Sequence, residues 1–159
     1  MLVQGLKVEP PQVVIEQDVV DRPRRHISIA LGNALAFSVD GGLHAPEEAR
    51  AELTERLGPK LDPELLTLAR LLMSELINNC VVHGAAPGPG TWIDVTASIF
   101  PDALRIEVSD GGPNFRHHPS RPPTDEGSGR GLYLIEQLSS RWGISEGGRT
   151  RAWFELPRA

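Results

Sequence analysis

Glu75, Asn79 and His83 stand four residues apart in the stretch Ser74-Glu75-Leu76-Ile77-Asn78-Asn79-Cys80-Val81-Val82-His83-Gly84. On a helix this spacing raises a carboxylate, an amide and an imidazole along one stripe. The stripe is set into a wide apolar face made by Leu65, Leu68, Leu72, Leu76 and Val82. Polar groups there are costly to bury without partners, so something polar belongs against them. Taken alone, a Glu and an Asn on one helix face are ordinarily a solvated edge, and a lone His is ordinarily structural. The stripe needs company before it means chemistry.

Two later segments supply it. The run Gly127-Ser128-Gly129-Arg130-Gly131 precedes an apolar-periodic segment and so opens a helix, where free backbone N–H groups and the helix dipole make an anion site. It lacks the Gly-Lys-Ser/Thr ending of a P-loop, and no parallel strand-turn-helix unit surrounds it as in a dinucleotide fingerprint. Asp110 ends a buried strand and is followed by Gly111-Gly112, which let another surface approach the backbone closely. A carboxylate so placed can accept a hydrogen bond from an exocyclic amine. It is equally a strand-end Asp that starts a turn.

The elements that must position these groups follow from periodicity and punctuation. Residues 1–25 mix short valine runs with prolines and charges and read as a loosely held extension, with one short strand at Val13-Val14-Ile15. Residues 27–39 give one or two strands around a Gly32-Asn33 turn. A helix over 46–57 carries Glu47 and Glu48 in its first turn and stops at Gly58-Pro59. The long helix starts after Asp62, with Pro63 at its first position, and runs to His83. Residues 92–100 and 104–109 alternate apolar and polar side chains across a Pro101-Asp102-Ala103 turn, an antiparallel hairpin with one face on the core. Residues 116–126 form a proline-rich loop. The last helix places Leu132, Ile135, Leu138 and Trp142 on one face. After Gly147-Gly148 a final strand over 150–156 turns Ala152, Phe154 and Leu156 inward.

Composition narrows the class of protein. With 159 residues the chain supports one domain over 26–159 behind the 1–25 extension. The balance of 16 Lys+Arg against 21 Asp+Glu, a net charge of -5, argues against direct nucleic-acid binding. The single cysteine, Cys80, allows no intrachain disulfide. No signal peptide and no apolar run of membrane-spanning length is seen, so the expectation is a cytoplasmic protein that does not enter a membrane.

Glu-x-x-x-Asn on a helix, Asp-x-Gly after a strand, a polar loop and then Gly-x-Gly-x-Gly-Leu resemble the GHKL superfamily of ATP-binding domains found in gyrase, histidine kinases and their relatives. Ser-Glu-Leu-x-x-Asn-x-x-x-His-Gly and the closing Gly-Gly-Arg-Thr-x-x-Trp-Phe-Glu-Leu are most similar to the bacterial anti-sigma regulatory serine/threonine kinases. The resemblance covers about residues 27–157. It implies the Bergerat ATP-binding fold, an α+β two-layer sandwich whose mixed, mostly antiparallel sheet is covered on one face by about three helices.

It also implies roles, residue by residue. Asn79 would ligate Mg²⁺ on the phosphates of ATP, as suits an oxygen ligand to a hard cation. Glu75 would orient or deprotonate the attacking hydroxyl. Asp110 would read the adenine amine, Gly112 would admit the ring, and Phe115 would border it. Gly127, Gly129, Arg130, Gly131 and Leu132 would close on the phosphates, with residues 116–126 as the lid and His83 approaching a phosphate. The implied activity is an ATP-dependent protein-serine/threonine kinase that sequesters a sigma factor and phosphorylates an anti-anti-sigma antagonist of STAS type, acting as a homodimer. Two alternatives stay open: a histidine-kinase-type catalytic domain and a non-catalytic, nucleotide-gated binding module. No dimerisation helix with a phosphoacceptor His precedes the domain, which weakens the first; a pure binder has no need of Glu75, which weakens the second. The sequence departs from the family pattern at Pro113-Asn114 and in a short, proline-rich lid without Lys, though Arg121 and Arg130 could meet phosphate.

Overall fold

A two-residue turn joins the first two described strands. Strands β1 (Ser28–Leu31) and β2 (Ala34–Asp40) pair antiparallel, with Leu31 opposite Ala34. Gly32 between them has φ +58, the positive value that the first position of a type II′ turn requires. The fold comes from a computed structural model that describes residues 28–83, 92–109, 130–145 and 151–159, with residues 28–30, 82–83, 130 and 145 described by backbone alone. The expected 1–25 extension and its short strand lie outside these residues.

Helix α1 (Ala45–Leu57) follows, with Glu47 and Glu48 in its first turn as expected, then a short 3₁₀ turn at Gly58–Lys60 and helix α2 (Pro63–His83). Asp62 starts α2 by accepting a hydrogen bond from the Leu65 N–H at 2.9 Å, and Pro63 occupies a position whose N–H would be unpaired anyway. Strands β3 (Trp92–Ile99) and β4 (Ala103–Ser109) make the expected hairpin, with Val95 opposite Val108 and Ala97 opposite Ile106. Helix α3 (Arg130–Leu138), strand β5 (Arg141–Ser145) and strand β6 (Arg151–Pro157) complete the chain.

The six strands form one sheet in the order β1-β2-β3-β4-β6-β5, and every neighbouring pair is antiparallel. This corrects the expectation of a mixed sheet. β4 and β5 do run parallel, across the α3 crossover, but β6 is inserted between them and pairs antiparallel with both. The helices pack against one another and against the sheet, α1 on β2 and α2 on β4 and β6. The α+β two-layer reading holds.

The core lies between these layers. Phe37, Val39, Val95, Ile106, Phe154 and Leu156 project from the sheet, and Leu53, Leu72, Met73, Leu76 and Ile77 meet them from the helices. On the opposite face the cross-strand rows are polar. Arg105 reaches Glu107 at 2.7 Å and Glu155 at 3.1 Å, Arg141 meets Glu155 at 3.5 Å, and Ser38 donates to Asp94 at 2.5 Å. Trp153 also lies on this face yet is buried. Its indole rests flat where a methyl on Gly143 would stand, 2.9 Å away, and the Arg105 guanidinium stacks 4.0 Å from the ring centroid.

One expected helix is shorter than its apolar series. The last helix stops at Leu138, which is exposed, and Trp142 belongs to β5 instead of sharing the helical face. The Ser139 hydroxyl and N–H both turn back onto the Ile135 carbonyl, ending the helix, and Ser140 bonds the Glu155 carbonyl to start the pairing with β6.

The cap on α2 carries a test. Asp62→Ala should cost about 1 kcal/mol and lower the melting temperature by roughly 3 °C. Nucleotide affinity should be unchanged, since the cap is at the far end of α2 from Glu75 and Asn79. Thermal unfolding and calorimetry on the same variant check both halves.

Candidate functional site

The site is built on α2. Leu65, Ala69, Leu72, Met73, Leu76, Ile77 and Cys80 are its buried side, so the helix is locked in rotation by its own apolar stripe. Glu75 and Asn79 fall at the edge of that stripe, one turn apart and half-buried, while Asn78 between them is exposed. A carboxylate and an amide are thus held side by side on a rigid element, neither sealed in the core nor loose in solvent.

Helix α3 reaches the same place from the other end of the sequence. Leu132 and Ile135 are buried, which seats α3 on the core beside α2. Its first turn then lies directly on Glu75. A methyl built on Gly131 would stand 2.9 Å from Glu75 Oε2 and 3.1 Å from its Cβ. The positive end of the α3 dipole and the Glu75 carboxylate therefore meet. Two of the segments singled out in the sequence, distant along the chain, are joined here.

The other expected site residues divide in two. His83 closes α2 and Arg130 opens α3, both described by backbone alone. Asp110, Gly112, Phe115, Gly127 and Gly129, with Arg121 and the 116–126 lid, lie outside the described residues. β4 leads up to Asp110 and ends at the buried Ser109.

One contributor was not anticipated. Arg50 of α1 donates to the Ser74 hydroxyl at 2.9 Å, and that hydroxyl donates in turn to the Arg70 carbonyl at 2.7 Å. The pair fastens α1 to α2 at the residue preceding Glu75. In the sequence Arg50 reads as one more solvated charge in a charged helix. Nothing short of the α1–α2 crossing reveals it.

Among the described residues no cluster of three or more His, Cys, Asp or Glu side chains could hold a metal ion. Glu75 and Asn79 alone would leave most positions around a cation to a ligand's own oxygens and water. That is the habit of Mg²⁺ on phosphates, and an amide oxygen such as that of Asn79 suits it. Among the described residues no helix is long and apolar enough to cross a membrane.

Comparison with known proteins agrees with this fold. The sequence profile of the histidine kinase-like ATPase domain matches residues 43–154, well over half of the chain. Among solved structures the chain is similar to the RsbU and RsbW domains of Rv1364c from Mycobacterium tuberculosis, with a TM-score of 0.60 and 26% identity over 82% of its own length. It spans 34% of that longer chain. A search of curated proteins finds no significant match. The matched region runs from just before α1 into β6 and takes in α2, α3 and the residues of the junction at Glu75. The chain belongs to the histidine kinase-like ATPase domain family.

Proposed function

We propose that this protein is an ATP-dependent protein-serine/threonine kinase of the anti-sigma type. It sequesters a sigma factor and transfers the γ-phosphate of ATP to a serine of an anti-anti-sigma antagonist. The carrying observation is the junction of Glu75, one helical turn before Asn79 on α2, with the first turn of α3. Family membership makes ATP the ligand. The likeness to a structure containing an RsbW domain supports a regulatory switch acting on partner proteins.

In this reading each residue does one thing. Asp110 accepts a hydrogen bond from the adenine amine and fixes the ring beside Gly112 and Phe115. The N-terminal turn of α3 offers its free N–H groups to phosphate oxygens, with Gly127, Gly129, Arg130 and Leu132 shaping the approach and His83 near the same oxygens. Asn79 presents its amide oxygen to Mg²⁺. An ion held there would supply positive charge against the phosphates. Glu75 accepts the proton of the incoming serine hydroxyl as the oxygen closes on phosphorus. Arg50, through Ser74, holds the helix turn on which Glu75 sits.

Asn79→Ala tests the assignment. It should weaken Mg-ATP binding about tenfold or more, the scale of a lost ligand or its support. ATP binding in EDTA should change much less, and the melting temperature should stay within about 3 °C, because the amide is half-buried and off the core stripe. Calorimetry with and without Mg²⁺ reads the first two. Extensive unfolding of the variant would make Asn79 a structural residue instead.

A further inference from the structure

We propose that Gly131 is a positioning residue for Glu75: the bare Cα of Gly131 is the surface that sets where the Glu75 carboxylate sits. The inference rests on the reading of Glu75 as proton acceptor and assigns Gly131 a task separate from cradling phosphate.

The geometry carries it. The nearest described atoms to a methyl on Gly131 all belong to Glu75: Oε2 at 2.9 Å, Cβ at 3.1 Å and the backbone carbonyl oxygen at 3.5 Å. The missing side chain leaves room for α2. A glycine kept only to let a ligand near would have its missing methyl over open space. Glycine is also the poorest helix former after proline, yet Gly131 lies within α3, so propensity does not explain it.

The consequences of filling that space differ atom by atom. The Cβ contact is with a rigid helix and needs a shift of a few tenths of an ångström. The Oε2 contact is with the end of a flexible side chain, which escapes by rotating away. A methyl at 131 therefore leaves the fold standing and moves the carboxylate. Gly143 is the structural counterexample. A methyl there would meet the Trp153 ring at 2.9 Å, 3.0 Å and 3.1 Å, a flat rigid partner with no end to swing aside.

The test is a double-mutant cycle on the full chain with two readouts. The first is single-turnover release of γ-phosphate from Mg-ATP to water, beside calorimetric Kd for Mg-ATP. Gly131→Ala should slow release about 10²-fold, as a misplacement of about an ångström does, a clearly larger factor than any accompanying change in Kd. On a Glu75→Ala background the same substitution should slow release less than about twofold. Glu75→Asp, one methylene shorter, should restore part of the rate lost to Gly131→Ala. The second readout is the nucleotide-free melting temperature. Gly131→Ala should lower it, and should lower it by a clearly smaller amount when Glu75 is already Ala, since the Oε2 contact is then gone. Equal effects on both backgrounds overturn the assignment. So does a Kd raised tenfold at unchanged rate, which would return Gly131 to the phosphate cradle. A wild-type protein that releases no phosphate to water or to a co-purifying protein refutes the kinase reading, while the melting cycle still decides the Glu75–Gly131 coupling.

Discussion

Glu75→Ala should slow phosphate transfer by about 10²–10⁴-fold, to a residual rate that can still be followed in single turnover, and leave Mg-ATP binding intact or slightly tighter. The carboxylate sits one helical turn before Asn79 and against the first turn of α3. A nucleophile approaching phosphate bound at that turn must pass beside it. Loss of a general base costs about 10²–10⁴ in rate, roughly 3–5 kcal/mol of barrier. Ground-state affinity responds the other way, because removing a negative group from beside a polyphosphate removes repulsion. The measurement is radiolabelled γ-phosphate incorporation into a co-purifying antagonist, run beside nucleotide calorimetry. Transfer at the wild-type rate would move the base elsewhere. A wild-type protein that labels no partner would leave a nucleotide-gated binding module.

The second large effect belongs to Asp110. Asp110→Asn should weaken ATP binding on the order of 10²-fold, since a hydrogen bond to a charged acceptor contributes about 1.5–3 kcal/mol. The replacement amide also turns donors toward a donor when its oxygen is not aligned. The effect should follow the base and not the phosphates. GTP, which presents a carbonyl where ATP presents the amine, should lose far less affinity or gain some, which narrows discrimination between the two nucleotides. Equal ATP affinity for wild type and variant would end the adenine assignment.

Legibility varied with the kind of signal. The α2 helix was readable to its ends because Asp62-Pro63 and a continuous leucine stripe agree, and the 92–109 hairpin because its alternation is unbroken. β5 was not. Its five residues are too short for a period, and Trp142 completes the helical series of Leu132, Ile135 and Leu138 by coincidence. Only Ser139-Ser140, which bend onto Ile135 and Glu155, mark the boundary, and serines carry little weight in a sequence. Sheet order was illegible for a different reason: a strand inserted between two others leaves no local trace. In the site, Glu75 and Asn79 were visible as a spacing. Their meeting with Gly131 is a tertiary fact, and the Arg50–Ser74 tie between α1 and α2 is another.

The position of β6 bears on how the protein is made. Residues 151–157 are the last strand of this sheet to emerge during synthesis, yet they occupy its interior, between β4 and β5. Until they arrive, β5 has no strand to pair with, β4 presents an open edge, and the Phe154 place in the core is unfilled. A ribosome-bound chain can form the hairpins and α2 but cannot close the layer above them. An open strand edge and uncovered apolar surface are what aggregation and chaperones act on. Folding of this domain is therefore completed after residue 157 has cleared the exit tunnel, and the nascent chain is most exposed to its neighbours in that interval.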